Sequence, residues 1–404
     1  MAQEPFVSRR AVLQAAALGV GGLLLDACTP TSSAPAGSPG ATAAAPSQPP
    51  ATASTAPEQS GTPAPLRQRI ARLLVVGFRG LRVEPGDWIA ANIAVDGLGG
   101  VILFDKDSSQ ATRNIRSPRQ VPRLVSDLRA LAPGRELIVA IDQEGGLVTR
   151  LSPAYGFPAV ASQEEVGPKG DAGVTAWAEG LVATLAAVGI NLNLAPVVDV
   201  NVNPKNPAIG ALHRAFSADP AVVTRDAGIE IQAHRDKGVR TTLKHFPGLG
   251  SATSNTDFGV ADVTKSWSQQ ELGPYRDLLG QGLVDVIMAG HLVNGQIDPS
   301  APASLSRGTV TDLLRNELGW DGVVSTDDLQ AGAITDSFGR EDAVALAIEA
   351  GNDLLLFANQ QVYDPDIVRW AIDLIEGFVT SGRITEARID ASYERVTALF
   401  PNGG

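Results

Sequence analysis

Short apolar runs alternate with longer amphipathic stretches along most of this chain, and this alternation governs how it can fold. Eight of the runs are rich in Val, Ile and Leu and are almost continuously apolar, as strands buried on both faces are. The predicted strands are Leu73–Phe78, Val101–Phe104, Leu137–Ile141, Asn191–Val197, Thr241–His245, Val284–Ala289, Gly322–Thr326 and Asp353–Phe357.

Helical patterns separate these strands. The clearest are Val121–Leu131, Ala172–Val188, Ala221–Lys237, Gln269–Leu279, Val310–Leu318 and Glu341–Ala350, and Asp366–Gly382 and Thr385–Phe400 follow the last strand. Alternating strands and helices predict a parallel sheet and therefore the α/β class. Eight repeats within residues 66–404 predict a single-domain (β/α)₈ barrel of the TIM type rather than an open sheet. No Gly-x-Gly-x-x-Gly pattern follows the first strand, which argues against a dinucleotide-binding fold.

Residues 1–28 are typical of an export signal. Arg9 and Arg10 resemble a twin-arginine pattern, and the apolar run Ala11–Leu25 behind them is too short for a spanning helix. The signal ends at the only cysteine of the chain, Cys28, in a sequence that resembles a lipobox. We expect Cys28 to carry a diacylglycerol anchor; the alternative is a cleaved signal with a buried Cys28.

Residues 29–65 form a linker that consists almost entirely of Ala, Pro, Ser, Thr and Gly, with Glu58 as the only charged residue. Such a segment cannot bury enough apolar surface to offset its chain entropy, so we expect it to be disordered. With the lipid anchor, the linker would tether a folded domain to the outer face of the cytoplasmic membrane. Without the anchor, the protein would be secreted.

Composition argues against several functions. The formal charge of −12 speaks against nucleic acid as a partner, because nucleic-acid binding needs a clustered basic surface. One cysteine and four histidines leave little material for a metal centre, so we expect no metal and no cofactor. We expect the protein to be a monomer.

Polar residues cluster at the carboxyl ends of the predicted strands, where such barrels place their active sites. These residues are Asp142 and Glu144 after the third strand, Asp199 after the fourth, Lys244 and His245 at the end of the fifth, His291 after the sixth, and Asp327 and Asp328 after the seventh. Singly, an aspartate at such a position could cap the following helix. Together, these residues predict one polar site at the mouth of the barrel.

Three segments, in this order, carry a resemblance to a known family: Asp142–Arg150, Lys244–Gly248 and Ser325–Leu329. They are similar to the motifs of glycoside hydrolase family 3, and the single-domain length resembles its bacterial β-N-acetylhexosaminidase branch. The resemblance spans the whole predicted barrel and includes Arg214 in the segment His213–Ser217.

A retaining glycosidase needs a carboxylate nucleophile and a second group that protonates the leaving oxygen. The resemblance makes Asp327 the nucleophile and Asp328 a supporting residue. The residues expected to bind the sugar are Asp142, Arg150, Arg214, Lys244, His245 and His291. For Arg150 another role stays open, which is an ion pair with Glu144 that holds the loop.

The sequence departs from the family in the loop after Lys244–Gly248. Members usually have a His where this chain has Leu249, and an Asp-Ser-His segment where it has Asn255, Thr256 and Asp257. The Asp–His pair of that segment is the family's acid/base. Three interpretations follow. Asp257 is itself the acid/base, since a carboxyl group within reach of the leaving oxygen suffices; or another loop donates the acid; or the protein binds glycans but turns them over poorly.

We therefore predict a retaining exo-β-glycosidase that removes terminal β-N-acetylglucosamine from cell-wall amino sugars. A β-glucosidase or β-xylosidase is the alternative enzyme, although such members usually carry a further C-terminal domain. A glycan-binding lipoprotein is one alternative outside enzymes. The solute-binding component of a transporter is another, although it usually has two α/β lobes rather than eight successive βα units.

Overall fold

Eight parallel strands form the centre of the molecule. The structure, a computed structural model, describes residues 64–256 and 259–400. The strands are β1 Leu74–Gly77, β2 Gly100–Leu103, β3 Ile138–Ile141, β4 Leu192–Asn193, β5 Arg240–Phe246, β6 Val286–Ala289, β7 Val323–Thr326 and β8 Leu355–Phe357. Nearly all of their residues are buried, because the barrel interior covers one face and the helices cover the other.

The sheet runs in the order β7-β6-β5-β4-β3-β2-β1-β8 and closes on itself. A parallel bridge between Ser325 and Leu354 joins β7 to β8, and the Leu354 N–H donates to the Val324 carbonyl over 3.0 Å. All ladders of this sheet are parallel. The predicted (β/α)₈ barrel is therefore confirmed, and the carboxyl ends of its strands open on one face.

Helices surround the barrel in sequence order. They are α1 Leu66–Arg72, α2 Trp88–Ala91, α3 Val121–Ala130, α4 Gln163–Val166, α5 Gly170–Val188, α6 Pro220–Asp236, α7 Gly273–Gly280, α8 Gly332–Phe338, α9 Arg340–Ala350, α10 Ile367–Thr380 and α11 Glu386–Ala398, with π-helical segments at Asn92–Asp96 and Gly308–Glu317. Capping sets some of these bounds. For example, α11 begins where the Thr385 hydroxyl accepts the Arg388 N–H over 3.2 Å.

Proline explains two differences from the predicted elements. The predicted strand Asn191–Val197 is regular only over β4, because Pro196 has no N–H to donate to the ladder. The predicted helix Gln269–Leu279 divides into a 3₁₀ turn, Gln269–Leu272, and α7, where Pro274 takes an N-terminal position that needs no donor.

Three predicted features lie outside the described residues. They are the signal with most of the linker (residues 1–63), the lipidation site Cys28 and the acid/base Asp257. In the ranges that the structure describes, no helix combines the length and the apolarity that crossing a membrane requires.

Candidate active site

A cavity of about 480 Å³ opens at the carboxyl ends of the barrel strands, within the size range of small-molecule sites. The strands and the residues next to them supply an apolar part of its lining: Ile102, Leu194, Met288 and Leu356. Its polar lining comprises Ser108, Asp142, Glu144, Arg150, Arg214, Lys244, His245, Asn255, Thr256, Asp327, Asp328, Gln360 and Gln361. The structure thus brings six of the predicted site residues together.

Lys244 lies between two carboxylates of the loop after β3. Its Nζ donates to Asp142 Oδ1 over 2.8 Å and lies 2.6 Å from Glu144 Oε1. The lysine side chain is only 3% exposed. Burial alone would lower the pKa of Lys244, but the two carboxylates raise it above its ordinary value. Lys244 is therefore a fixed cation at neutral pH.

Glu144 also holds Arg214 in a bidentate pair. Arg214 Nε and Nη2 donate to the two oxygens of this carboxylate over 2.7 and 2.8 Å, and Nη1 donates to the Ala208 carbonyl. Burial would raise the pKa of Glu144, but Arg214 and Lys244 hold it well below its ordinary value. One buried carboxylate therefore fixes two cations on the cavity wall.

Replacing Glu144 with Gln is expected to destabilise the fold by about 3–5 kcal/mol, because two buried cations lose their shared charge partner. Chemical denaturation measures this loss. Because the pKa of Glu144 is lower in the folded state than its ordinary value of 4.5, the ionised carboxylate stabilises the folded state fully above pH 4.5. This contribution is lost as the pH falls. The difference in the free energy of unfolding between wild type and variant should therefore become smaller below pH 4.5. Glu164→Gln removes an exposed partner of His213 and is the control; an equal loss there would contradict the prediction.

Arg150 pairs with Asp142 and not with Glu144. Its Nη2 lies 3.6 Å from Asp142 Oδ2, and its guanidinium lies over the Phe104 ring at 5.3 Å. The alternative prediction of an Arg150–Glu144 pair is wrong, because two other cations occupy both oxygens of Glu144. The buried Nε of Arg150 has no hydrogen-bond partner among the described residues.

Asp199 fixes the orientation of His245. Its Oδ2 lies 2.7 Å from His245 Nδ1, and the same carboxylate accepts the backbone N–H of His245 and, over 2.7 Å, that of Leu249. Because a carboxylate only accepts, Nδ1–H of His245 donates to Asp199. Arg214 Nη2 lies 3.4 Å from Nε2 of the same ring. Asp199 thereby fixes one orientation of His245 in the cavity lining.

Asp327 follows β7 directly and lines the cavity. Burial would raise the pKa of its carboxyl group, but the imidazoles of His291 and His245 together lower it below its ordinary value. Asp327 is therefore ionised at neutral pH. The next residue, Asp328, also lines the cavity, and its Oδ1 accepts the Ala358 N–H from the loop after β8 over 3.0 Å.

His291, for which sugar binding is predicted, is not among the residues that line the cavity. Its Nδ1 lies 2.7 Å from Ser304 Oγ, and its Nε2 lies 2.8 Å from the Asp328 carbonyl oxygen. Both ring nitrogens are therefore used within the protein, and the residue is only 1% exposed. Its role is to support the segment that carries Asp327.

The loop after β5, residues 247–256, has a firmly held base. Asp199 accepts the Leu249 N–H, and Asn206 Nδ2 donates to the Leu249 carbonyl over 2.6 Å. Leu249, Asn255 and Thr256 all contribute to the cavity lining. The chain therefore follows the cavity wall up to the residue before Asp257.

Three roles in the site were not predicted: the ring of Phe104, the double pairing of Glu144 and the contact of Asp199 with His245. Phe104 directly follows β2, so reading the end of that strand as well would have found it. Glu144 and Asp199 also follow strand ends. Their partners are distant in sequence, however, and no local sequence pattern indicates such pairs.

The arrangement suits recognition of a polyol better than binding of a metal. Among residues 64–256 and 259–400, no group of three or more His, Cys, Asp or Glu side chains is placed to hold a metal ion. The acids of one wall are neutralised by lysine and arginine, which leaves alternating donors and acceptors around an ionised carboxylate. Such a carboxylate can attack an electrophilic carbon held in the cavity.

Comparison with known proteins agrees with this geometry. Residues 65–399 match the family described as glycosyl hydrolase family 3 N terminal domain. The chain is 33% identical over 358 residues to Beta-hexosaminidase LpqI of Mycobacterium tuberculosis, with 86% of each protein covered. It is 32% identical over 326 residues to Beta-hexosaminidase A of Pseudoalteromonas piscicida, with 75% of this chain and 53% of that protein covered. The chain thus spans about half the length of the second relative.

Solved structures contain the same barrel. A family 3 beta-N-acetylglucosaminidase from Paenibacillus sp. matches with a TM-score of 0.76 at 35% identity, over 84% of this chain and 62% of that one. The Beta-N-acetylhexosaminidase from Beutenbergia cavernae matches with a TM-score of 0.75 at 34% identity, over 84% of this chain and 99% of that one. The barrel therefore corresponds to nearly all of one solved chain and to part of the other.

Proposed function

We propose that this chain, which belongs to glycosyl hydrolase family 3, is a retaining exo-β-glycosidase that removes terminal β-linked N-acetylglucosamine. The observation that carries the proposal is an ionised carboxylate, Asp327, in a cavity lined by fixed donors and acceptors. The choice of sugar is supported by the relatives, which are named as hexosaminidases and as an N-acetylglucosaminidase. Cell-wall amino sugars outside the cytoplasmic membrane are the proposed substrates.

The proposed reaction consists of two displacements. A carboxylate oxygen of Asp327 attacks the anomeric carbon, the glycosidic C–O bond breaks, and the leaving oxygen takes a proton from the acid/base. Water then gives a proton to the acid/base and attacks the anomeric carbon, which frees Asp327. The anomeric configuration is inverted twice and is therefore retained.

Asp257 is the proposed acid/base. It directly follows Thr256, which lines the cavity, and it stands where family members usually have a His. Acid/base chemistry requires reach and a titratable proton rather than one residue type. Asn255 also lines the cavity, so the segment that leads to Asp257 runs beside the substrate.

Five side chains are proposed to bind the sugar. Asp142 accepts from hydroxyl groups, Lys244, Arg150 and Arg214 donate to their oxygens, and His245 contacts the sugar through its ring. A buried hydroxyl without a partner costs affinity, so this alternation of donors and acceptors favours a sugar ring over an apolar ligand.

We expect hydrolysis rather than phosphorolysis, because the carboxylate of Asp257 would repel phosphate at the position where the second nucleophile enters. The rate of aryl β-N-acetylglucosaminide turnover should be the same with added inorganic phosphate as with sulfate at equal ionic strength. Mass spectrometry should find free N-acetylglucosamine as the sugar product. Acceleration by phosphate together with formation of the sugar 1-phosphate would contradict this prediction.

A lipid anchor on Cys28 is the proposed means of attachment to the outer face of the cytoplasmic membrane. The support comes from the sequence: Arg9 and Arg10, the apolar run and the lipobox-like ending at the only cysteine. Metabolic labelling with a fatty-acid analogue should mark the wild-type protein and not Cys28→Ala. Labelling of the variant, or an unlabelled wild type, would contradict the proposal.

The test of the proposed function compares kcat/KM on an aryl β-N-acetylglucosaminide and on an aryl β-glucoside, using the chain without residues 1–28. Clear preference for the acetylated sugar is the expected result. Activity on the glucoside alone would favour the β-glucosidase alternative. Binding of the sugar without turnover of either substrate would favour the glycan-binding lipoprotein.

A further inference from the structure

A buried carboxyl group that the proposed reaction does not use, that of Glu271, lies against the loop of residues 247–256. Glu271 has no exposed surface. Its Oε2 accepts the Ser251 N–H over 3.3 Å, whereas its Oε1 has no hydrogen-bond partner in the described part of the chain. The loop lies so close that a Cβ added to Gly248 would come within 2.7 Å of the Glu271 Cβ. Glu271 is therefore in direct contact with the base of the loop.

Two acids hold N–H groups that lie two residues apart in one turn. Asp199 accepts the Leu249 N–H over 2.7 Å, and Glu271 accepts the Ser251 N–H two residues later. Asp199 also orients His245, and Leu249 itself lines the cavity. A shift of the turn at Ser251 would therefore change the cavity wall beside the sugar.

Burial, with a smaller contribution from a nearby charge, places the ionisation of Glu271 close to neutral pH. Asp199 faces it from the segment after β4, and Tyr275 faces it from α7, which follows the 3₁₀ turn that carries Glu271. Burial raises the pKa of Glu271 most, the hydrogen bond from Ser251 lowers it, and the negative charge of Asp199 raises it again, to about 7. The carboxyl group thus changes its charge in the range in which most enzymes work.

We propose that Glu271 is a positioning residue for the reaction, whose carboxylate holds the turn Gly248–Ala252 against the cavity and whose neutral form holds it more weakly. This inference rests on the proposed glycosidase function. Hydrogen bonds to an ionised acceptor are shorter and stronger than those to a neutral one. The lining is therefore better ordered when Glu271 is ionised, and kcat/KM should rise with pH through about 7.

An activated substrate makes this ionisation visible. The leaving group of a dinitrophenyl β-N-acetylglucosaminide departs as a stable anion without protonation. Deprotonation of the acid/base at high pH therefore does not limit kcat/KM for this substrate. For the wild type, we expect a rise of about fivefold to tenfold between about pH 6 and 8. Glu271→Gln keeps an oxygen acceptor but cannot ionise, so its profile should be flat there. Glu271→Ala should lose about tenfold in kcat with little change in KM, since the sugar-binding side chains remain.

Tyr275→Phe is the matched control and should keep the wild-type profile. A Glu271→Gln variant whose pH profile also matches the wild type would overturn the proposal. A wild-type kcat/KM profile that shows no ionisation between about pH 6 and 8 would also overturn it. This second result does not depend on whether any variant folds.

Tryptophan fluorescence gives a second readout that needs no substrate. Trp267 Nε1 donates to the Pro247 carbonyl over 3.0 Å, at the start of the same loop. Its emission should titrate near pH 7 in the wild type and not in Glu271→Gln, with Trp267→Phe identifying the signal. A protein that turns over no β-N-acetylglucosaminide would refute the proposed function. The same titration in wild type and Glu271→Gln would refute the role of Glu271 alone.

Discussion

Asp327→Ala is expected to lower kcat/KM on an aryl β-N-acetylglucosaminide by on the order of 10⁴-fold or more, because it removes the nucleophile. The loss should appear mainly in kcat, since Asp142 and Lys244 remain in place to bind the sugar. Steady-state kinetics measures the effect, and circular dichroism shows whether the variant keeps its fold.

The neighbouring acid supplies the control. In Asp328→Asn the amide oxygen can still accept the Ala358 N–H, so we expect a change of less than about tenfold. Azide should restore turnover to Asp327→Ala and yield the α-glycosyl azide, because a small anion enters on the side that the carboxylate has left. If Asp328→Asn is as inactive as Asp327→Ala, the assignment of the nucleophile is wrong.

Asp257→Ala is expected to lower kcat/KM by roughly 10²- to 10⁴-fold on a β-linked disaccharide and much less on a dinitrophenyl glycoside. The second sugar of the disaccharide leaves as a basic alkoxide unless its glycosidic oxygen is protonated, whereas dinitrophenolate leaves as a stable anion. A series of aryl glycosides with leaving groups of graded pKa measures the difference. The kcat/KM of the variant should fall much more steeply with rising leaving-group pKa than that of the wild type does.

Asn255→Ala tests whether this effect belongs to the acid or to the loop. Asn255 lines the same cavity and cannot donate a proton as an acid, so its removal should affect good and poor leaving groups alike. Equal losses on both kinds of substrate in Asp257→Ala would mean that another group supplies the proton.

Most of the barrel could be predicted from the sequence, because strands enclosed on both faces must be apolar throughout. β6 and β7 lie within the runs predicted for them and differ only in their first residues. The failure at β4 has a local cause, since Pro196 interrupts the ladder within an apolar run. A pattern of hydrophobic residues carries no information about a missing backbone N–H donor.

The site was predictable only in part, because a strand end fixes where a residue lies and not where its side chain points. Asp142, Lys244 and Asp327 line the cavity as the strand-end rule predicts. His291 obeys the same rule, yet its ring is used by Ser304 and a backbone carbonyl. Pairings between distant loops, such as Arg214 with Glu144, leave no local pattern at all.

Trapping the glycosyl-enzyme tests most directly whether Asp327 is the nucleophile of a double displacement. A fluorinated N-acetylglucosaminyl fluoride reacts in the first step, but the fluorine destabilises the oxocarbenium-like transition state of the second, so the intermediate accumulates. After digestion, mass spectrometry locates the sugar. We predict a label on Asp327, within the segment Ser325–Leu329. A label on another residue, or turnover without any label and with an inverted product, would contradict the proposed mechanism.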